Sequence, residues 1–483
     1  MKLGLLLSNF LFQSAFQILT VILPFITVPY VARVLGPEGN GIYSYTFAIA
    51  NYFVVFAMLG IENYGSREIA RQRNLGKEAV SRTFTEIFCA HLVISLSVLF
   101  LYILFILFVF RRYYEIAFWQ LLFVTSAVFD VNWFYIGLEK IKFIATRNFI
   151  IKIISTILIF TLVKNQADLW IYTAIMSGSL LLSQWVVFPS ICRYFSISGC
   201  SKNILLHFKP LLVLSVAVIA SYIYRLFGKI IIGCFDQIVD LACYEYADRI
   251  IRLPLGIMTA LGLVLLPRIS KLQKEQGNKL SIFKLLCWSN FFSSFLVYAF
   301  TFGLVAVADD FVILFLGNQY EATGKMVKIF AISLPFIAWN NFVRMTMLIP
   351  QGKDFDYMKS VIWGALINVV LSIIAIVPFG GVGVAWVSVI SYFVVAIFQT
   401  HSIRKNYIIY LIKNQVPYCL LGILMAAFVC LFNKFVSLTI QERLVVDILV
   451  GGCVYISMSL AYIWFAKDKT AKSSNARIGK SFF

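Results

Sequence analysis

Residues Asn9 to Val34 read NFLFQSAFQILTVILPFITVPYVARV, a run of apolar side chains with one charge, Arg33, near its far end. A helix needs roughly 20 such residues to cross the hydrocarbon of a bilayer. The run is too long for the removable core of a signal peptide and is expected to remain as a first membrane span. Working outward, comparable runs recur along the chain. They centre on Leu19, Asn51, Ser97, Val124, Ser155, Leu180, Ala220, Leu255, Phe295, Phe336, Leu371, Ile390, Ile423 and Tyr455. Backbone groups in lipid must be satisfied within the segment, so the runs are helices. Phe379-Gly380-Gly381 is read as a tight turn separating two runs that otherwise form one long helix.

Composition agrees with about fourteen spans and no large extramembrane domain. Of 483 residues, 61% are apolar and 13% charged, against roughly 45–50% and about 25% in soluble domains. With a mean hydropathy of +0.88, a soluble enzyme is excluded. The net charge of +19 fits cytoplasmic loops rich in Lys and Arg and does not call for nucleic acid. The clearest such loops run from Arg67 to Arg82 and from Arg268 to Lys284. The asymmetry places both termini in the cytoplasm. The nine cysteines contain no CxxC pair and read as apolar thiols. His91, His207 and His401 have no metal-ligand spacing. No GxxxxGK[ST], HExxH or GxSxG occurs, so no nucleotide, metal or cofactor is expected.

An internal echo supports a duplicated design. At an offset of 201 residues Tyr43 falls on Tyr244, Tyr45 on Tyr246 and Arg67 on Arg268. Parallel six-helix repeats are a recurrent transporter architecture. The chain is accordingly read as an all-α integral membrane protein of two six-helix lobes, 1–200 and 201–405, related by a pseudo-twofold axis. Two C-terminal helices at 406–466 and a basic cytoplasmic tail at 467–483 follow.

Ionisable groups within spans are costly and mark pathways or partners. Tyr222, Arg225 and Lys229 share one face of the seventh span, and Glu245, Arg249 and Arg252 one face of the eighth, with Asp248 beside them. Arg33 lies near the outer end of the first span and Arg344 in the inner half of the tenth. One reading is structural pairing, Glu245 with Arg249 and Asp248 with Arg225. Two acids leave two of these four cations over, however, and arginine's planar fork suits phosphate oxygens. An anionic, phosphate-bearing substrate is therefore expected at Arg33, Arg225, Lys229, Arg249, Arg252 and Arg344. Asn51 and Tyr222 are candidates for hydrogen bonds or stacking to sugars. Glu62, Asp130, Glu245 and Asp248 are candidates for ion coupling, each also readable as a helix-end or paired residue.

The stretch Pro24-Phe-Ile-Thr-Val-Pro29-Tyr-Val-Ala-Arg33-Val-Leu-Gly36-Pro-Glu-Gly39-Asn-Gly41-Ile-Tyr43-Ser-Tyr45 resembles polysaccharide flippases of the Wzx type, in the multidrug/oligosaccharidyl-lipid/polysaccharide exporter superfamily. Leu59 to Ala70 and Tyr135 to Phe143 fit the same pattern. The resemblance implies transport of undecaprenyl-diphosphate-linked oligosaccharide across the bacterial cytoplasmic membrane by alternating access. It also implies a cavity lined by spans 1, 2, 7 and 8, and spans 13 and 14 beside the lipid tail. Membrane lipids, and a polymerase and glycosyltransferases of the same assembly, are the partners it suggests. Two rivals remain at this stage. A multidrug exporter of the same superfamily would want acidic cavity walls. A membrane polysaccharide polymerase would need a long outer loop holding catalytic groups, and the outer connections here are short.

Overall fold

The computed structural model describes residues 2–191, 194–195, 204–274, 279–403 and 405–473, and every regular element among them is helical. The elements are α1 (Lys2–Met58), α2 (Ile61–Gln72), α3 (Lys77–Phe108), α4 (Tyr114–Trp119), α5 (Leu121–Val128), α6 (Asn132–Gly137), α7 (Ile141–Leu162), α8 (Leu169–Trp185) and α9 (Phe188–Ile191). They continue with α10 (Ile204–Cys234), α11 (Ile238–Lys274), α12 (Lys279–Leu316), α13 (Glu321–Val343), α14 (Asp354–His401), α15 (Lys405–Lys413), α16 (Val416–Phe435) and α17 (Ile440–Ser473). Among the described residues, ten helical stretches are long and apolar enough to cross a membrane. Two of them, Leu23–Leu75 and Asp354–His401, hold 53 and 48 residues, about twice what one crossing needs. The boundary read at 200/201 and the tail from residue 474 onward lie outside the described residues.

Both double-length stretches are interrupted where the sequence offers glycine. Gly36 adopts φ 66° and ψ 176°, and Gly380 φ 57° and ψ −150°, regions that cost other residues dearly. At the first turn Asn40 Nδ2 donates to the carbonyls of Gly36 (2.8 Å) and Val31 (3.2 Å), satisfying groups the helix end leaves open. Two further breaks differ from the sequence reading of continuous spans. Leu59 (φ 35°) and Gly60 (φ 70°) separate α1 from α2. The span centred on Val124 is divided into α4, α5 and α6, with Phe129–Val131 between the last two.

The chain forms two compact units, Met1–Ala242 and Cys243–Phe483. In the first, α10 packs on α1, α2 and α3, whereas the repeat places this span at the start of the second lobe. Close approach explains the packing. A Cβ on Gly233 of α10 would meet the Tyr45 ring at 2.1 Å; at the start of α11, the Ile238 carbonyl would lie 2.1 Å from a Cβ on Gly41. Small residues that let helices touch substitute for the hydrophobic drive lipid cannot supply. Below the breaks, α2 and α6 pair through Gly65 on the Trp133 ring and Gly137 on Ile69. Around them Phe84, Ile87, Phe134 and Ile144 form a buried cluster. In the second unit α12 packs on α13, α16 and α17. Leu96, Phe100, Val377 and Phe435 are exposed, as a lipid-facing surface requires.

Tyr43, Tyr45, Tyr244 and Tyr246 are all buried. Tyr43 meets Tyr172, Tyr45 meets Phe110, Tyr244 meets Phe330, and Tyr246 meets Tyr320. They are packing residues of their own units. Cys234, Cys243, Cys287, Cys419, Cys430 and Cys453 are reduced thiols. Cys89, read as a thiol, is disulfide-bonded instead, a juxtaposition that spacing along the chain does not encode.

Candidate functional site

In the first unit the cationic face of α10 is as spaced. Arg225 stacks its guanidinium 4.2 Å from the Tyr222 ring centroid, a cation–π contact that fixes the plane of the fork. Tyr52 Oη donates to the Ile223 carbonyl at 3.3 Å, tying the second half of α1 to α10 two residues before Arg225. Asn51, half-buried, precedes Tyr52. Lys229 is buried at 7% exposure, and Arg33 is exposed three residues before the Gly36 turn.

In the second unit Glu245 and Asp248 of α11 each pair with an arginine on their own helix. Arg249 Nε donates to Glu245 Oε1 at 2.6 Å, the pairing read from the sequence. Arg252 grips Asp248 through Nε (3.1 Å) and Nη2 (2.8 and 3.0 Å). The sequence paired Asp248 with Arg225; the structure gives it to Arg252, because an i,i+4 neighbour needs no help from another helix to come within reach. Arg344 opens a π-helical turn, Arg344–Leu348. It donates through Nη2 to Asn341 (3.2 Å) and through Nη1 to the Tyr357 hydroxyl (3.4 Å), while its buried Nε has no partner among the described residues. Among the described residues neither Arg225 nor Arg344 has a carboxylate within ion-pair distance.

The acids differ sharply in setting. Glu62 is exposed at the start of α2. Asp130 sits in the break between α5 and α6 and accepts only from neutral groups: Asn132 N (2.9 Å), Asn132 Nδ2 (3.2 Å) and Gln184 Nε2 (3.0 Å). Sequence reasoning missed Arg147, which is 6% exposed and donates through Nη2 to Asn132 Oδ1 at 2.9 Å. Its signal was available as a lone arginine within the apolar run of α7. Outside the spans, Arg112 pairs with Asp236 at 2.6 Å, and that hydrogen bond holds the Arg112 pKa above its ordinary value. Among the described residues no three His, Cys, Asp or Glu side chains stand close enough to hold a metal ion.

The family described as polysaccharide biosynthesis proteins matches residues 6–273. A Shigella dysenteriae protein named as an O-antigen transporter is 26% identical over 385 residues, covering 76% of this chain and 91% of that one. Among solved structures, lipid II flippase MurJ in an inward closed conformation superposes with a TM-score of 0.76 at 16% identity, covering 93% of this chain and 98% of that one. An inward-facing multidrug resistance transporter of the MATE family, in the MOP superfamily, gives 0.60 at 17% identity, over 81% of this chain and 96% of the other. The fold is therefore shared with MurJ and with this MATE family transporter.

Proposed function

We propose, from the premise that the chain belongs to the polysaccharide biosynthesis protein family, that it flips undecaprenyl-diphosphate-linked oligosaccharide repeat units across the bacterial cytoplasmic membrane. It is a multi-pass transporter and not an enzyme. Counting each glycine-interrupted stretch as two crossings and adding α10 and α11 gives fourteen spans, in two six-helix lobes plus two C-terminal helices, with both termini cytoplasmic. The head group is taken up on the cytoplasmic side and released outside by alternating access, while the prenyl chain stays in lipid.

One observation carries the reading: Arg225 and Arg344, within membrane helices, have no carboxylate partner among the described residues. An uncompensated arginine at membrane depth costs about 2.5–3.5 kcal/mol even on the mildest scale. A visiting diphosphate offsets that cost, and the guanidinium fork matches its oxygens. Arg33 and Lys229 in the first unit and Arg249 and Arg252 in the second are further candidates for contact with an anionic head group. Asn51 and Tyr222 supply hydrogen bonds to the head group. A cation exporter would want free acids beside these arginines, and Glu245 and Asp248 pair with Arg249 and Arg252.

The test is surface polymer export in cells lacking their own flippase. Wild type restores export; Arg225→Ala and Arg344→Ala, at matched membrane levels, do not, and lipid-linked repeat units accumulate. Normal export by both variants would remove the arginines from the head-group site.

A further inference from the structure

The breaks at Leu59–Gly60 and Phe129–Val131 both lie directly before the paired segments α2 and α6. Those segments are locked to one another, because Gly65 and Gly137 leave no space at the Trp133 and Ile69 contacts. Together they form one body, joined to the helices that precede it, α1 and α5, through two non-helical joints. Discontinuous helices in transporters are where ions and substrates bind. At the second joint stands Asp130.

Its carboxylate fastens the joint to two further helices. Gln184 Nε2 of α8 donates to Oδ2. Asn132, the first residue of α6, donates through both nitrogens and carries Arg147 of α7 on its own Oδ1. The Asp130 carbonyl accepts from the Trp133 indole at 3.2 Å, and that ring lies on Gly65 of α2. Two buried atoms here have no partner among the described residues: Arg147 Nη1 and Gln184 Oε1, on residues 6% and 9% exposed. The titratable groups facing the joint are Glu62 from α2, His91 from α3, whose Nε2 lies 2.7 Å from the Ala127 carbonyl, and Arg147 from α7. α8 offers neutral Gln184, and α1 meets α5 through Phe47 on Phe123.

Of the four acids read as coupling candidates, Glu245 and Asp248 are held by arginines on their own helix and Glu62 is exposed. Asp130 makes no ion pair among the described residues; all its side-chain donors are neutral.

We propose that Asp130 binds the coupling proton and that its protonation releases the α2–α6 body at its two joints. The step is a simple proton transfer: a hydronium ion on one side of the membrane gives up one O–H bond and becomes water, an O–H bond forms on Asp130 Oδ2, and no other covalent bond changes. Ionised, Asp130 accepts three hydrogen bonds and pins α6 to α8 and, through Asn132, to α7. Protonated, it is a weaker acceptor and needs an acceptor of its own. A half-turn of the Gln184 amide supplies Oε1, the atom that lacks a partner now. The proposal rests on the transport reading for its purpose, though not for the hinge itself.

The experiment is amide hydrogen exchange of the full-length protein in phospholipid vesicles, followed at residues 129–137. Buffers are mildly alkaline and mildly acidic, with rates corrected for intrinsic pH dependence. In wild type, acidification speeds exchange about tenfold or more, the worth of one charge-assisted hydrogen bond. Asp130→Asn, fixed in the neutral state, exchanges fast in both buffers. Gln184→Leu exchanges faster than wild type in alkali and still responds to acid, and it carries the test should Asp130→Asn fail to fold. Glu62→Gln and His91→Asn respond like wild type. Exchange that ignores pH in wild type, or a full pH response in Asp130→Asn, overturns the hinge. Export by Asp130→Asn equal to wild type overturns the coupling role. Failure of wild type to export at all strikes the transport reading alone, since the exchange result is obtained without substrate.

Discussion

Replacing Gly65 by alanine places a methyl carbon 2.4 Å from Trp133 Cε3 and 2.8 Å from Cδ2. Carbon atoms in contact sit about 3.5–4.0 Å apart, so α2 must retreat from α6 by about 1 Å. Trp133 cannot turn aside. It is fully buried, its indole N–H is held by the Asp130 carbonyl, and Phe84 stacks at 5.6 Å on its ring. Overpacking of this kind costs about 1–3 kcal/mol, a factor of roughly 5–150 in the folded ratio. Gly137→Ala meets Ile69 Cβ at 2.7 Å and the Ser66 carbonyl at 2.8 Å across the same interface. Once one methyl has parted the helices the second fits more easily, so the double variant falls short of the sum by about 0.5 kcal/mol or more. Gly178→Ala is the control, since its Cβ would lie 3.8 Å from Leu122, ordinary contact. The assay is SDS-titrated unfolding of the purified protein in mixed micelles, with helicity read by circular dichroism. If Gly65→Ala unfolds at the same SDS fraction as Gly178→Ala, or the two substitutions add fully, α2 and α6 are not locked as described.

Further outcomes follow from other contacts. Arg225→Lys keeps the charge but loses the stack on Tyr222 and the fork, so export falls by about three- to tenfold, between wild type and Arg225→Ala; equal export by Lys and Arg would reduce the site to a point charge. Asn290 Nδ2 donates to the Leu411 carbonyl and accepts from Gln415 Nε2, both at 3.0 Å, joining α12 to the α15–α16 corner. Asn290→Ala is expected to destabilise by about 0.6–2 kcal/mol in the same SDS titration, and Asn290→Asp by more. Arg112 and Asp236 are 66% and 52% exposed, so Asp236→Asn leaves the thermal midpoint unchanged in high salt, where such pairs are screened; a large shift would show a buried role.

What the sequence disclosed and what it hid have separate physical causes. Spans are legible because run length alone reports bilayer thickness, and the turns at Gly36 and Gly380 because glycine marks backbone others avoid. The break at Phe129–Val131 carries no glycine or proline. It is made by Asp130 and Asn132 turning inward to bond α8 and α7, which depends on tertiary neighbours. The i,i+4 spacing announced Glu245 with Arg249, yet the same spacing also joined Asp248 to Arg252 and left Arg225 to Tyr222. Arg147 escaped notice because an arginine near the end of an apolar run looks like a loop charge until its burial is seen.

The most direct test of the central claim is the sidedness of lipid-linked repeat units in spheroplasts. These come from cells that lack their own flippase and polymerase and express this chain. Membrane-impermeant periodate oxidises only sugars on the outer face. With wild type, the lipid-linked units become oxidisable; with Arg225→Ala at equal membrane level, they accumulate intact and protected. Units that stay protected in the presence of the wild-type chain, at a repeat structure its own cell makes, would contradict the account.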